Sequence, residues 1–240
     1  MIQDLHSHTF YSLCGKDDPD TMLEAAIAGG VQVFGFSDHN YGIAVKRPTD
    51  FRKEQPGDCY RDYFDYITLI KEKYKDRITV LRGIEVRTWE NGEQLPDDVD
   101  VSYYDYALIE CLAFPDSITR GDLFSYATRL GCPCGIAHTD MFGFIETIGE
   151  DPETYFKKMA EQGIFWELNI NYDSIHGYRE HDYVTRFFES KEQQEIIRRS
   201  GVMVSIGFDG HRIEDYLPER VKDYCARLEA MQIPMPFANR

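Results

Sequence analysis

The sequence predicts an α/β fold in which seven strands close into a (β/α) barrel. Its 240 residues alternate seven short apolar runs, typical of buried strands, with stretches bounded by helix start and stop signals. Runs that are apolar throughout indicate parallel strands covered by helices on the outer face. Histidines and carboxylates follow several of these runs, and strand ends are where such barrels carry their sites. Since no linker, repeat or low-complexity segment divides the chain, we expect residues 1–240 to form one domain.

The elements follow in order along the chain. The first strand is expected at 2–8, and the next helix, at 20–29, begins after Pro19 and ends at paired glycines. Later helices end at Gly131 and Gly201. The other strands are predicted at 31–36, 78–86, 104–112, 134–137, 164–170 and 202–207. The other helices are predicted at 58–75, 119–130, from about 152, at 189–200 and at 214–231. Loops are expected at 41–57, 90–100 and 140–150, and a long loop carries His176, Arg179 and His181.

The charge of the chain restricts its partners. The formal net charge is −16, and a surface of this sign repels nucleic acid, so no nucleic-acid partner is expected. It also repels a phosphorylated metabolite, unless bound cations invert the local potential. The chain has no run of about 18 apolar residues, and its N-terminus lacks the pattern of a signal peptide. We therefore expect a cytoplasmic protein with no membrane partner.

The cysteines fit the same compartment. Six cysteines occur without an even framework of spacings, which favours free thiols in a reducing cytosol. Cys132 and Cys134 have the spacing of a soft-metal site, but an apolar run follows them. We therefore interpret this pair as the start of a buried strand.

Ligand-type side chains occur at the ends of five predicted strands. A strand turns His6 and His8 to the same face, together with Asp4. The later strands end at His39, Glu85, His138, Asp209 and His211. Each of these residues alone fits an ordinary hydrogen-bonding role, yet five of the seven histidines occupy such positions. Their joint placement predicts a metal centre.

Five motifs, taken in order, resemble those of the PHP (polymerase and histidinol phosphatase) superfamily. They are His6-x-His8, Ser37-Asp38-His39, Gly83-Ile84-Glu85, Ala137-His138 and Asp209-x-His211. The resemblance covers nearly the whole chain. It implies a distorted seven-stranded (β/α) barrel with the site at the C-terminal strand ends, two or three divalent metal ions, and hydrolysis of phosphate esters.

The resemblance also implies a ligand set. One metal ion would take His6, His8, Glu85 and Asp209. A second would share Glu85 and take His138, and a third would take His39 and His211. Zinc, manganese and iron all fit histidine and carboxylate ligands. The predicted catalytic residues are Glu85, which would bridge two metal ions, Asp209 and His211.

Two positions depart from the family pattern. Cys14 stands where the family has Asp or His, and its thiolate would favour zinc or iron. Asp17 or Asp18, from the same loop, is the alternative ligand. Leu112 stands where the family tends to have a histidine, and Glu110, two residues earlier on the same face, is the candidate replacement.

The resemblance further suggests how the substrate is held. Related phosphatases carry a Gly-Leu-Arg after an Asn-bearing strand, and this chain has Asn169 followed by Gly-Tyr-Arg at 177–179. Arg179 would grip phosphate oxygens in pairs, unless it is only a solvated loop arginine. The nearby His176 is predicted to contact the substrate or donate a proton. Arg87 is a weaker candidate, because we expect its side chain to point away from the site.

Together these features predict a metal-dependent phosphoesterase that hydrolyses a small phosphomonoester, in the manner of a histidinol phosphatase. A hydroxide bridging two metal ions would attack phosphorus, and Asp38 would orient an imidazole. The alternative is a catalytically degenerate metal-binding PHP module with an interaction or regulatory role, which the departures at Cys14 and Leu112 leave open. A metal-dependent amide or lactone hydrolase is disfavoured, because no strand ends in a lysine that could bridge the metal ions.

Overall fold

The chain forms a nearly closed barrel of seven parallel strands, as predicted. This architecture is seen in a computed structural model that describes residues 1–45, 57–119 and 122–238. The strands are β1 Gln3–Asp4, β2 Val33–Phe36, β3 Thr79–Arg87, β4 Tyr106–Glu110, β5 Cys134–Ile136, β6 Phe165–Asn169 and β7 Val204–Gly207. They pair in sequence order, and every pair is parallel.

Backbone hydrogen bonds between the first and last strand regions complete the ring. The Leu5 amide donates to the Ile206 carbonyl at 3.0 Å, and the His8 amide donates to Gly210 at 2.8 Å. Asp209 donates back to the carbonyl of His6 at 2.8 Å. The two ends of the chain therefore meet at the rim that carries the candidate ligands.

Helices cover the outer face of the barrel. They are α1 Pro19–Ala28, α2 Asn40–Val45, α3 Asp58–Tyr74, α4 Leu123–Leu130, α5 Met141–Thr147, α6 Pro152–Glu161, α7 Asp182–Glu189, α8 Lys191–Ser200 and α9 Pro218–Ala230. A short 3-10 turn at Ile213–Asp215 precedes α9. Within the described ranges, no helix combines the length and the apolar character that crossing a membrane requires.

Strand alternation divides the apolar residues into two cores. One core fills the barrel and contains Leu81, Tyr106, Leu108 and Phe165, while a larger core lies between the strands and the helices. The Tyr106 hydroxyl crosses the barrel to donate to the Leu5 carbonyl at 2.6 Å. Gly83 permits this crossing, because a Cβ atom there would overlap the Tyr106 ring.

Several predicted loops contain helix. Residues 41–45 of the predicted loop at 41–57 belong to α2, and 46–56 lie outside the described residues. The predicted loop at 140–150 contains α5, whose first turn is capped by Asp140 accepting from the Gly143 amide at 3.1 Å. Most of α7 was assigned to neither a helix nor a strand. With six and seven residues, α2 and α5 are stabilised by packing on the barrel, so periodicity does not reveal them. By contrast, α7 places Tyr183, Val184 and Phe187 on one buried face, which is a local signal for a helix.

Candidate metal centre

The predicted ligands converge at the carboxyl-terminal rim of the barrel. His6 and His8 follow β1, and their Nε2 atoms lie 3.0 Å apart. Oδ1 of Asp209, just after β7, lies 2.9 Å from Nε2 of His8 and 3.5 Å from Nε2 of His6. The structure thus brings together the His-x-His pair and an aspartate that is 201 residues away from it in sequence.

Glu85, on β3, lies at the centre of this group. Its fully buried carboxylate is 2.8 Å from Nδ1 of His39 and 3.0 Å from Nε2 of His138. The Nε2 atoms of His6 and His8 lie 3.4 and 3.5 Å from the same carboxylate. Four imidazoles therefore surround one carboxylate, as expected of a residue that bridges two cation sites.

The donor set fits divalent metal ions. Nδ1 of His39 and Oε2 of Glu85 are buried and close, yet neither makes a hydrogen bond of good geometry. Buried polar atoms are normally satisfied, so such atoms facing a common point suit a cation. Among the residues that the structure describes, four groups have ligand atoms within 4.8 Å of one another: His6, His8 and Asp209; His39, Glu85 and Glu110; His8, Cys14 and His39; and Asp173, His176 and His211.

Burial and neighbouring charges shift the imidazole pKa values in opposite directions. Burial, reinforced by the charges of His39 and His211, lowers the pKa of His8 to about 3, so its ring is neutral and one ring nitrogen carries a lone pair. Burial also disfavours charge on His138, but the hydrogen bond and charge of Glu85 outweigh it and raise that pKa to about 9. The charge of Asp209 likewise outweighs burial at His211, raising its pKa to about 10.

These pKa values predict that metal binding depends on pH. Without a cation, His138 and His211 hold protons at neutral pH, and a metal ion must displace them. Apparent zinc affinity should therefore rise with pH by about tenfold per pH unit for each proton displaced, up to about pH 9 for the His138 proton and about pH 10 for the His211 proton. Competition with a chelator of known affinity between pH 6 and 9 measures it, after correction for the chelator's own protonation. An affinity that does not change with pH would contradict ligation by these histidines.

Of the two positions that depart from the family pattern, Cys14 lies at the candidate metal centre and Leu112 does not. Cys14 forms a group with His8 and His39, and hydrogen bonds from His211 and His39 outweigh its burial to lower its thiol pKa to about 7. The Glu110 carboxylate lies 3.4 Å from Nδ1 of His39. Leu112 is fully buried in the outer core, so Glu110 is the residue that faces the site.

The alternatives to Cys14 have other roles. Asp18 caps α1, accepting from the amide and hydroxyl of Thr21 at 3.0 and 2.8 Å. Asp17 accepts from the Ile213 amide at 2.7 Å. Both aspartates are therefore engaged in holding the loop, which favours Cys14 as the ligand.

Substitution of Cys14 tests this assignment. Cys14→Ala should lower the metal content of the purified protein, and Cys14→Asp should keep it, because a carboxylate restores a ligand atom. Elemental analysis of both variants measures the content. Cys59→Ala, which removes a cysteine from α3, is the matched control. Equal occupancy in Cys14→Ala and the control would show that the thiol is not a ligand.

Glu167 is a site residue whose role the sequence did not show. Its Oε1 lies 2.6 Å from Nδ1 of His6, and its Oε2 accepts from the His138 amide at 2.7 Å. It therefore orients one imidazole and anchors the backbone of another, as carboxylates behind metal ligands do. Gly207 makes room for it, because a Cβ atom there would overlap the carboxylate. The available signal was its position on β6, two residues before Asn169 and on the same face.

Two aspartates differ from the sequence-based expectation. Asp38 does not contact an imidazole directly: its Oδ1 accepts from the hydroxyl of Ser12, which lies 3.1 Å from Nδ1 of His8. Asp38 thus reaches the ring of His8 through Ser12, and its predicted role in orienting an imidazole stays a prediction. Asp4 accepts from the amides of His6 and Phe208 at 3.3 and 2.9 Å, and so it stabilises the closure of the barrel.

The backbone is strained where ligands leave the strands. Cys111, His138 and Asp209 follow β4, β5 and β7, and their φ angles are 64°, 25° and 57°. Residues with a Cβ rarely adopt positive φ, and such strain concentrates at functional sites. The sequence has no glycine at these positions to reveal these turns.

The three residues proposed to contact the substrate, His176, Arg179 and Arg87, differ in burial and in their hydrogen-bond partners. The Asp173 Oδ1 is 2.7 Å from Nδ1 of His176, whose Nε2 lies 4.0 Å from Oδ2 of Asp209. Arg179 is exposed, and its role as a phosphate contact stays a prediction. The Arg87 side chain was expected to point away from the site, but it points toward the site. Its Nε donates to Oε1 of Glu110 at 3.1 Å. Residues 85 and 87 share the inner face of β3, which explains the difference.

Comparison with known proteins supplies independent information. A family model described as the PHP domain matches residues 4–231. The histidinol phosphate phosphatase of Lactococcus lactis subsp. lactis Il1403, solved with zinc, L-histidinol and phosphate, is 16% identical, with a TM-score of 0.57 over 98% of this chain and 95% of that chain. A putative histidinol phosphatase from Listeria monocytogenes is 14% identical, with a TM-score of 0.40 over 97% and 92%. The comparison with curated proteins gave no significant match.

Proposed function

The chain belongs to the PHP domain family, and from this premise we propose that it is a metal-dependent phosphoesterase acting on a small phosphomonoester. The observation that carries the proposal is the convergence of four imidazoles on the buried carboxylate of Glu85. So dense a set of neutral and anionic ligands suits a cluster of divalent cations. Such a cluster also resolves the conflict between a net charge of −16 and an anionic substrate.

The proposed metal ligands are the residues already described. His6, His8, Glu85 and Asp209 would hold one ion, Glu85 and His138 a second, and His39 and His211 a third, with Cys14 and Glu110 completing the set. When bound, zinc, manganese or iron supplies positive charge that activates water and neutralises phosphate oxygens. The zinc in the Lactococcus lactis phosphatase supports zinc among these metals.

The protein's own groups would orient the reaction. Glu167 holds the ring of His6 with its Nε2 toward Asp209, and the Ser12 hydroxyl lies 3.1 Å from Nδ1 of His8. We assign a proton-donating role to His176. Asp173 accepts from its Nδ1–H at 2.7 Å, which leaves Nε2 facing Asp209 and the site. In the imidazolium form Nε2 also carries a proton, and this proton would pass to the leaving alkoxide. Arg179, on the adjacent turn, is proposed as a phosphate contact from the exposed side.

Histidinol phosphate is the first substrate to test. L-histidinol and phosphate are present in the structure of the Lactococcus lactis protein, whose fold this chain shares. A likeness at 16% identity supports the fold only. Assays must therefore identify the alcohol part of the phosphate ester.

The test combines metal analysis with phosphatase assays. The purified protein should contain at least one bound metal ion, and should release phosphate from histidinol phosphate or another small monoester in a panel. Removal of metal by a chelator should abolish turnover, and zinc or manganese should restore it. Amide and lactone substrates provide the control for a different hydrolase. A metal-loaded protein that turns over no phosphate ester would refute the proposal and favour a non-catalytic module.

A further inference from the structure

A cavity of about 430 Å³ opens beside the candidate metal centre. His138 lies on one side of it and Arg87 on another, and Trp89 and Phe114 supply aromatic surface. The Trp89 ring is fixed, because its Nε1 donates to Oδ2 of Asp116 at 2.6 Å. The cavity thus connects proposed metal ligands with a rigid aromatic wall.

The side chain of Arg87 is held in place by contacts with Tyr41 and Glu110, both of which also contact His39. Its guanidinium carbon lies 3.8 Å from the centre of the Tyr41 ring, which stacks on the His39 ring at 4.6 Å. Its Nε donates to Glu110, which lies 3.4 Å from His39. Stacking and ion pairing fix both the plane and the position of the guanidinium. An arginine held in this way is preorganised for a ligand.

The position of Arg87 matches where a phosphate would lie. On β3, Arg87 lies two residues beyond Glu85, and two residues advance a strand by roughly 6–7 Å toward the mouth of the barrel. A phosphate bound above the Glu85 carboxylate would therefore meet the guanidinium. Among side-chain hydrogen bonds within the described residues, Arg87 uses only Nε. Both terminal nitrogens thus have donor capacity for phosphate oxygens.

We propose that Arg87 binds the outer oxygens of the substrate phosphate, and that the cavity beyond it receives the organic group of the ester. This inference rests on the proposed function and specifies its substrate class. Trp89 and Phe114 offer flat apolar surface, so the site selects monophosphates of small alcohols that carry an aromatic or other planar group. Arg87 is the one arginine or lysine among the cavity-lining residues of the described chain.

Binding of phenylphosphonate, a non-hydrolysable probe, tests the inference without turnover. The chain has two tryptophans, and Trp166 is fully buried, so a fluorescence change should come from Trp89. Phenylphosphonate should change the fluorescence of the metal-loaded protein, and Trp89→Phe should abolish the change. Calorimetry should show phenylphosphonate binding about tenfold or more tighter than inorganic phosphate.

Substitutions at Arg87 supply the second readout. Arg87→Ala should weaken phenylphosphonate binding by about 10- to 100-fold, and Arg87→Lys should recover only part, because an ammonium lacks the planar fork. Tyr41→Leu should weaken binding by a smaller factor, and Tyr41→Phe should not. Arg199→Ala removes an equal charge from an exposed ion pair with Glu153 and is the matched control. Arg179→Ala, measured in parallel, compares the two candidate phosphate contacts.

The outcomes separate this inference from the proposed function. Metal content is measured for each variant. If Arg87→Ala loses metal, Arg87→Lys replaces it in the comparison, because the lysine keeps a positive charge beside Glu110. Metal-loaded Arg87 variants that bind phenylphosphonate like the control would overturn the inference, even if the wild type hydrolyses phosphate esters. Weakened binding in a protein that hydrolyses no ester would support the site and refute the proposed reaction.

Discussion

Glu85→Gln is expected to reduce turnover by roughly three orders of magnitude or more and to lower the metal content. Changes behind the metal ligands alone typically cost 10- to 100-fold, and Glu85 lies at the centre of the ligand set. The substitution preserves shape but removes the charge that faces His39 and His138 at 2.8 and 3.0 Å. Steady-state kinetics with the best monoester, together with elemental analysis, measures both effects.

The control for this experiment is Glu90→Gln, which makes the same chemical change at an exposed position just beyond β3. It should leave rate and metal content unchanged. If Glu85→Gln retained full metal content and rate, Glu85 would not be a bridging ligand. Circular dichroism of both variants separates loss of the site from loss of the fold.

Asp209→Asn is expected to lower kcat/KM by about 100- to 1000-fold and to remove one metal ion, because it eliminates an anionic ligand. Burial opposes charge on Asp209, but the charges of His6 and His211 outweigh it and hold its pKa well below the usual range. The carboxylate is therefore ionised at any working pH. Its φ of 57° makes asparagine the appropriate replacement, since asparagine tolerates this conformation better than alanine does.

Kinetics and metal content of Asp209→Asn are best compared with those of Asp223→Asn, which neutralises an exposed aspartate of α9 that pairs with Arg227. Asp209→Ala adds a second comparison, because it combines ligand loss with backbone strain and should unfold at a lower temperature than Asp209→Asn. Wild-type kinetics in Asp209→Asn would exclude Asp209 from the metal centre.

The fold was predictable because its signals are local. Apolar runs and helix-ending glycines are recognised from residues only a few positions apart in sequence. Runs that are apolar throughout, such as 164–170, indicate parallel strands covered by helices. The short helices α2 and α5 were missed because they contain too few residues for a periodic pattern. Their stability comes from packing on the barrel, which a local pattern does not contain.

The sequence by itself determined the ligand types and their placement at strand ends, because parallel strands in a barrel bring their carboxyl ends to one rim. It also predicted Glu110 as the candidate replacement for a missing family ligand, and the structure brings its carboxylate to 3.4 Å from Nδ1 of His39. Only the tertiary structure revealed Glu167 behind His6, Asp173 beside His176, and Arg87 directed toward the cavity. The contacts of Glu167 and Arg87 join different strands of the barrel, whereas Asp173 meets His176 within a local turn of the loop after β6. Residue spacing specifies the face of a strand, whereas barrel closure decides which side chains from different strands meet.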